Sequence, residues 1–110
     1  MIYTFVLMDR AGAADLRARL RPEHKAYLGR MAEQIAFAGP LLADDGQTMI
    51  GSLLAIDFAS REAATAWLRD EPFTRAGLYA SVQVQAFANL WPQRAGFPPP
   101  PATTATSAGR

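Results

Sequence analysis

The sequence predicts an α+β fold with the element order strand, helix, strand, strand, helix, strand. Three observations support this fold class. The chain opens on an apolar run of strand length, a run near its end alternates polar and apolar residues, and two segments between them repeat apolar residues at helical spacing. The chain has 110 residues, half of them hydrophobic, which suits one domain with one modest core.

The first strand and the first helix are predicted in the opening third of the chain. Residues 2–8 form a near-continuous apolar run, as in a central strand. Pro22 interrupts the helical pattern of residues 15–38, so we expect a short helical turn before it, then a restart or a kink, and then the main helix to the end of that segment. Gly39 is then the expected helix cap, and Pro40 forbids continuation. The helical stripe consists of Leu16, Leu20, Leu28, Met31 and Ile35.

Two further strands, a second helix and a last strand follow. A short strand is predicted at residues 41–43 and a longer one at residues 49–58. Ser60 is a good N-cap, and the apolar residues after it share one helical face until Pro72 ends the segment. Residues 78–87 show the clearest period of two in the chain and are predicted to form the last strand.

This order is that of a ferredoxin-like βαββαβ fold with a four-stranded antiparallel sheet. Right-handed crossovers place both helices on one face of the sheet, so the other face must be covered in some other way. Face-to-face pairing of two such sheets is the economical solution, which predicts a homodimer. From Pro92 the chain is rich in proline, alanine and threonine, so residues 1–91 are expected to form the domain and residues 92–110 a disordered tail.

The composition argues against several classes of function. Eleven basic and ten acidic residues leave a net charge of +1 without a basic stripe, so no nucleic-acid partner is expected. Without cysteine there can be no disulfide, thiolate nucleophile or cysteine zinc site, and a site of several histidines would need a second subunit. There is no glycine-rich phosphate loop and no dinucleotide fingerprint, so no cofactor is implied and no metal is expected.

The chain carries no predicted membrane segment. Its apolar stretches stop well short of the ~20 residues that a spanning helix needs. The apolar N-terminal run lacks a basic leader and meets Asp9 and Arg10 at once, so it is expected to be a strand and not a signal peptide. A cytoplasmic protein without a membrane partner is therefore expected.

His24 is the sharpest candidate for chemistry. It falls on the apolar stripe, four residues after Leu20 and four before Leu28, where a polar side chain must be satisfied by a partner or face a cavity. A helix that restarts after Pro22 would place it in a first turn, which favours the neutral imidazole that can accept a proton. A buried histidine bonded to a backbone carbonyl is an equally weighted alternative.

Asp70 and Glu71 are the candidate acidic partners of this histidine. They end the second predicted helix, where the helix dipole disfavours negative charge. Either acid could orient or charge His24 in a His–carboxylate dyad. A solvated helix end neutralised by Arg69 and Arg75 is the simpler alternative.

Other polar and aromatic residues could bind a substrate. Arg21 and Lys25 flank the histidine and could hold an anionic group, although such residues more often form the solvent face of a helix. Ser52 lies beside a glycine and could line a pocket, but no nucleophile-elbow motif surrounds it, so acyl transfer is disfavoured. Tyr27 is one of several aromatic side chains that are mostly core candidates, of which one or two could wall a pocket.

Several segments of the chain together resemble the YciI-like proteins. That family's Arg-Pro-x-His signature is matched by the segment Arg-Pro-Glu-His-Lys-Ala-Tyr-Leu. A Gly-Pro turn and a Gly-Ser pair follow, as in the family. The family's Asp-Pro motif is similar to the segment Glu-Pro-Phe-Thr-Arg-Ala-Gly-Leu-Tyr. The similarity covers about residues 1–90 in unbroken order. The matching segments are residues 21–28, 39–41, 51–52, 63–67 and 71–79.

The resemblance implies a homodimer of the dimeric α/β-barrel kind with a histidine and an acid in a cleft as the catalytic pair. His24 is the matching histidine. The family's aspartate immediately precedes a proline, whereas here Glu71 holds that place and Asp70 comes one residue earlier, so either acid could fill the role. One branch of the family includes a dehydrochlorinase of a chlorinated hydroxyhydroquinone, which implies proton transfer without a cofactor.

Two functions are compatible with these observations. The first is a cofactor-independent lyase or isomerase in which His24 acts with one of the two acids, while Arg21, Ser52 and Tyr27 contact a small-molecule substrate. The second is a non-catalytic dimeric module that binds a metabolite or a protein. A ring nitrogen of His24 that faces an open cleft, with a carboxylate behind it, favours the enzyme. A histidine sealed in the core favours the module.

Overall fold

The sheet has four antiparallel strands in the spatial order β2-β3-β1-β4, with the helices packed against it. The computed structural model describes residues 1–91, so the predicted tail lies outside the described residues. The prediction of an α+β fold with this sheet is confirmed. The elements are β1 (Ile2–Asp9), α1 (Ala14–Gly29), β2 (Ile35–Leu42), β3 (Met49–Asp57), α2 (Arg61–Arg69), α3 (Pro72–Arg75) and β4 (Tyr79–Phe87).

The core lies between the sheet and the helices. β1 is flanked by β3 and β4, and Tyr3, Phe5 and Leu7 point from it toward the helices and are buried. In the adjacent strand, Leu54 pairs with Phe5 and Ile56 with Tyr3, so both strands contribute to one layer. Because side chains alternate along a strand, the residues between these point to the other face.

The first helix is shorter than the sequence pattern predicts. α1 ends at Gly29, and residues 35–42 form β2, so the prediction of a helix to residue 38 capped by Gly39 was wrong. The strand predicted at residues 41–43 is only the end of β2. Backbone pairing with β3 decides the outcome, since it satisfies the peptide groups of both segments. Pro40 is tolerated because β2 is an edge strand.

Pro22 does not interrupt α1, so the restart that was one of the two expected outcomes does not occur. The helix runs through it, and both Pro22 and Ala18 are exposed. The Ala18 carbonyl, which would receive a hydrogen bond from residue 22 in an ordinary helix, therefore has access to water. α1 is the longest helix described, with 16 residues, and no helix within residues 1–91 combines the length and hydropathy required to cross a membrane.

The second half of the fold turns back on the first helix. Ser60 caps α2, with its hydroxyl accepting from the Ala63 N–H at 3.1 Å, as predicted. α2 ends at Arg69, and Pro72 does not simply end a helix: it begins the short α3, which packs against α1. This reversal sets the position of the residues between α2 and α3.

Candidate active site

A buried histidine–glutamate pair lies between α1 and the start of α3. His24 Nδ1 is 2.5 Å from Glu71 Oε2. Glu71 is fully buried, and His24 keeps only 8% of its surface exposed. Two parallel crossover helices would hold the start of one far from the end of the other. The pair forms because His24 lies partway along α1 and because α3 folds back against that helix.

Glu71 accepts hydrogen bonds on both carboxylate oxygens. As the N-cap of α3, it receives the Phe73 N–H on Oε2 at 3.0 Å. The backbone N–H and the hydroxyl of Thr74 donate to Oε1, each at 3.3 Å, and the Tyr79 hydroxyl lies 3.5 Å from the same atom. Because backbone N–H groups can only donate, the carboxylate is an acceptor, and Nδ1 of His24 is the nitrogen that carries the proton toward it.

The second ring nitrogen of His24, Nε2, is available to exchange a proton with a bound molecule. Within residues 1–91, Nε2 has no hydrogen-bond partner and is not sealed from solvent. The ring stacks on Phe73, with centroids 4.1 Å apart and planes inclined by 17°, which limits its rotation. An imidazole held by a carboxylate on one side and open on the other is the arrangement of a general base or acid.

His24 faces a cavity of about 280 Å³ between α1 and the sheet. One wall is formed by successive turns of α1, and the other by strands β2 and β3. No cluster of three or more histidine, aspartate or glutamate side chains in the described part of the chain is arranged to bind a metal. The lining residues are Arg17, Arg21, His24, Lys25 and Leu28 on the helix, and Ala38, Gly39, Pro40, Ser52 and Leu54 on the strands.

Arg17 is a cavity residue that the sequence analysis missed. It is 4% exposed, and its Nε and Nη2 donate to the two carboxylate oxygens of Asp9 at 2.7 and 3.0 Å. Nη2 also donates to the Ser52 hydroxyl at 3.0 Å. Arg17 precedes His24 by seven residues, or two helical turns, so the two share a face of α1. That spacing is the signal that could have revealed it.

Tyr79 is a second residue that sequence reasoning did not assign to the site. Burial raises the pKa of its hydroxyl above the ordinary value, and the negative charge of Glu71 raises the pKa further. The hydroxyl therefore stays protonated over the physiological range and can donate to Glu71. The alternating pattern of β4 marks the strand but contains no signal for this contact.

The residues predicted from sequence do not all meet at the cavity. Arg21 and Ser52 line it together with the histidine. Asp70 caps the C-terminus of α2 and is exposed. The Tyr27 hydroxyl donates to the Trp67 carbonyl at 2.8 Å, and its ring packs on the indole with centroids 5.2 Å apart, so Tyr27 links α1 to α2.

Comparison with known proteins places the chain in one family along most of its length. Residues 1–88 match the YCII-related domain. The chain is 32% identical to Protein YciI of Escherichia coli over 98 residues, which cover 83% of this chain and 100% of that one. It is also 28% identical over 98 residues to an uncharacterized protein of Haemophilus influenzae, with the same coverage.

A solved structure supports the same relationship. The chain is similar to 5-chloro-2-hydroxyhydroquinone dehydrochlorinase from Burkholderia phenoliruptrix AC1100, determined in complex with 2,5-dihydroxybenzoquinone. The TM-score is 0.75 and the sequence identity 29%, over 80% of this chain and 94% of that one. The resemblance noted in the sequence motifs is thus confirmed: this protein belongs to the YCII-related domain family.

Proposed function

We propose that the protein is a cofactor-independent enzyme that transfers a proton on a small-molecule substrate, with His24 as general base or acid. The observation that carries this proposal is the unpartnered Nε2, which faces an accessible cavity while Glu71 holds the opposite side of the ring. A histidine sealed on all sides would instead have supported a binding module.

Glu71 is the acid that the proposal assigns to the dyad, since Asp70 is exposed at the end of α2. Its hydrogen bond orients the imidazole, and its negative charge stabilises the imidazolium that forms when Nε2 takes a proton. Arg21 and Ser52 line the cavity, which supports the proposal that they contribute to substrate binding. A positioned acid–base group typically contributes about 10²- to 10⁴-fold in rate.

The similarity to a dehydrochlorinase supports a reaction of the lyase type. Loss of hydrogen chloride requires removal of a proton and departure of chloride, which an acid–base residue can promote without a cofactor. We therefore propose 5-chloro-2-hydroxyhydroquinone as the first substrate to assay, and related hydroxylated rings after it.

The test compares His24→Gln with the parent protein on a substrate that the parent converts. We expect kcat to fall by about 10²- to 10⁴-fold with an unchanged far-ultraviolet circular dichroism spectrum. Glu23→Gln is the matched control, because Glu23 is the preceding residue of α1 and is exposed. A His24→Gln variant that retains the parental kcat would show that the imidazole is not catalytic.

We also propose that two copies pair through the sheet face that points away from the helices. In the described part of the chain no element covers this face, although it carries Val6, Leu53, Phe37 and Phe87. The two phenylalanines are 37% and 39% exposed, which is unusual for large apolar side chains that cluster on one surface. A second copy of the same face would remove them from water.

A further inference from the structure

Arg17 keeps one guanidinium nitrogen available for a ligand. Its Nε and Nη2 are occupied by Asp9 and Ser52, but within residues 1–91 Nη1 has no hydrogen-bond partner and is not sealed from solvent. Because the side chain lines the cavity, Nη1 is the donor that it can offer to a bound molecule.

The ion pair with Asp9 makes this donor rigid. The two side chains meet with two parallel hydrogen bonds, and the exposed fractions of Arg17 and Asp9 side chains are only 4% and 7%. Such fork-to-carboxylate pairing fixes the guanidinium plane as well as its position. A preorganised donor of this kind stabilises negative charge that develops in a transition state, because the donor does not need to reorganise.

Arg17 and His24 both pack against the side chain of Phe73, and both line the same cavity. The guanidinium carbon of Arg17 lies 4.7 Å from the centroid of the Phe73 ring, and the imidazole centroid lies 4.1 Å from it. Because both side chains line one cavity, Nε2 of the histidine and Nη1 of the arginine are the polar atoms that they can offer to the same bound molecule.

The charge of the cavity favours an anion. Arg21 and Lys25 also line it, and neither forms an ion pair among the described residues, whereas Asp9 offsets the charge of Arg17. No aspartate or glutamate contributes to the lining in the part of the chain that the structure describes. The cavity therefore carries excess positive charge, which attracts and retains negatively charged molecules.

The size of the cavity indicates a single ring. An apolar cavity of about 150 Å³ accommodates benzene, and this cavity has a volume of about 280 Å³. Leu28, Pro40 and Leu54 provide apolar surface for the body of such a ring. The remaining space suits polar substituents on such a ring.

We infer that Arg17 binds the substrate oxygen that gains negative charge in the reaction, and that the substrate is a monocyclic compound with an acidic or enolisable oxygen. The inference rests on the function proposed above. In the keto form of the substrate, the proton on a ring carbon next to the carbonyl moves to Nε2 of His24. The pair of the broken C–H bond forms a C=C bond, and the carbonyl π pair shifts onto the oxygen, where Nη1–H of Arg17 stabilises the enolate. In an elimination the oxygen pair re-forms the carbonyl, the C=C pair shifts toward the carbon that bears chlorine, and the C–Cl bond breaks so that chloride leaves with its electron pair.

The binding test uses two probes of similar shape in calorimetric titrations, the anion 2,5-dihydroxybenzoate and the neutral 2,5-dihydroxybenzamide. We expect the parent protein to bind the acid at least about 10-fold more tightly than the amide, in line with a charge-assisted hydrogen bond. Arg17→Lys keeps a cation for Asp9 but lacks the Nη1 donor, so its preference for the acid should fall to the part that Arg21 and Lys25 provide. Arg19→Gln, at an exposed position of the same helix, is the matched control.

A double variant guards against misfolding. Arg17→Gln combined with Asp9→Asn removes both charges of the buried pair, leaves the net charge unchanged, and should weaken the preference for the acid in the same way. With 5-chloro-2-hydroxyhydroquinone, Arg17→Lys should lower kcat by about 10²-fold and change KM less, since the donor acts mainly on the transition state. A variant that lowers kcat only in proportion to its loss of folded protein would contradict this role.

The outcomes separate this inference from the proposed function. His24→Gln should still prefer the acid, and if it also keeps turnover, the dyad is wrong while the anion site stands. If the parent binds the amide as tightly as the acid, the assigned substrate class is wrong. If both Arg17 variants retain the full parental preference, the assignment of Arg17 is wrong, whether or not His24 is catalytic. Failure of the parent to bind either probe at millimolar concentration would also overturn it.

Discussion

The candidate site depends on a carboxylate that has been withdrawn from water. Glu71 has no exposed surface, and a buried charge is costly unless hydrogen bonds replace its hydration. Two backbone N–H groups, the Thr74 hydroxyl and the His24 imidazole provide that replacement. The same contacts that hold the imidazole therefore also stabilise α3 and its packing on α1.

Replacement of Glu71 by alanine should destabilise the protein strongly. The change removes the cap of α3 and leaves the buried His24 without its partner, so we expect a loss of about 2–4 kcal/mol in the free energy of unfolding. Asp70→Ala, at the adjacent but exposed position, should change it by no more than about 0.5 kcal/mol. Urea denaturation followed by circular dichroism measures both, and equal effects would contradict the buried pair.

Tyr79 should make the protein less stable in alkali. Burial and the charge of Glu71 raise the pKa of its hydroxyl in the folded state. Above a pH of about 10 the unfolded chain loses this proton while the folded protein keeps it, so stability falls as pH rises, by up to about 1.4 kcal/mol per pH unit. Below that pH Tyr79 is protonated in both the folded and the unfolded state, so its contribution to the free energy of unfolding is fully present.

The measurement is the free energy of unfolding of the parent and of Tyr79→Phe between pH 8 and pH 11, a range chosen to bracket the ordinary tyrosine pKa of about 10. The variant should show a shallower decline at the alkaline end. Tyr27→Phe is a useful comparison, because burial and the charge of Asp70 also raise the pKa of Tyr27. Parallel curves for the parent and Tyr79→Phe would rule out the proposed linkage.

At the scale of elements, α1 contains a residue that weakens it. Pro22 lies in the middle of the helix and cannot donate the backbone hydrogen bond expected at that position. Because a proline in a helix interior costs about 3 kcal/mol relative to alanine, we expect Pro22→Ala to raise the free energy of unfolding by about 1–3 kcal/mol. Thermal denaturation should show a higher Tm.

Glu23→Ala is the control for this change, since it lies next to Pro22 and is also exposed. It should alter the free energy of unfolding by a few tenths of a kcal/mol, roughly the difference in helix propensity. A Tm for Pro22→Ala at or below that of the parent would indicate that the proline shapes α1 to its neighbours.

At the scale of the whole molecule, the exposed sheet face leads to a prediction about assembly. If two copies pair through it, sedimentation equilibrium should give a dimer mass at micromolar concentration. Leu53→Arg places a charge at the centre of this face and should shift the equilibrium toward the monomer. Val82→Arg is the control, because Val82 is 46% exposed but points to the helix side of the edge strand β4. A monomer in the parent protein would refute the pairing.

Local patterns in the sequence were enough to predict the fold class and to single out His24 as a candidate for chemistry. The apolar run of β1, the alternation of β4 and the cap at Ser60 are properties of a few consecutive residues, and periodicity reports them directly. His24 stood out because a polar residue interrupted an apolar helical stripe, and the stripe does face the interior. The sequence could not distinguish an open nitrogen from a sealed one.

Contacts between distant segments decided the extent of β2 and which of the two acids lies beside His24. Residues 35–42 can form a helix or a strand, and only the unpaired edge of β3 selects the strand. Asp70 and Glu71 are neighbours in the chain, yet the turn of α3 onto α1 buries one beside His24 and leaves the other in water. Backbone pairing and side-chain burial depend on which surfaces meet in three dimensions, so local periodicity cannot specify them.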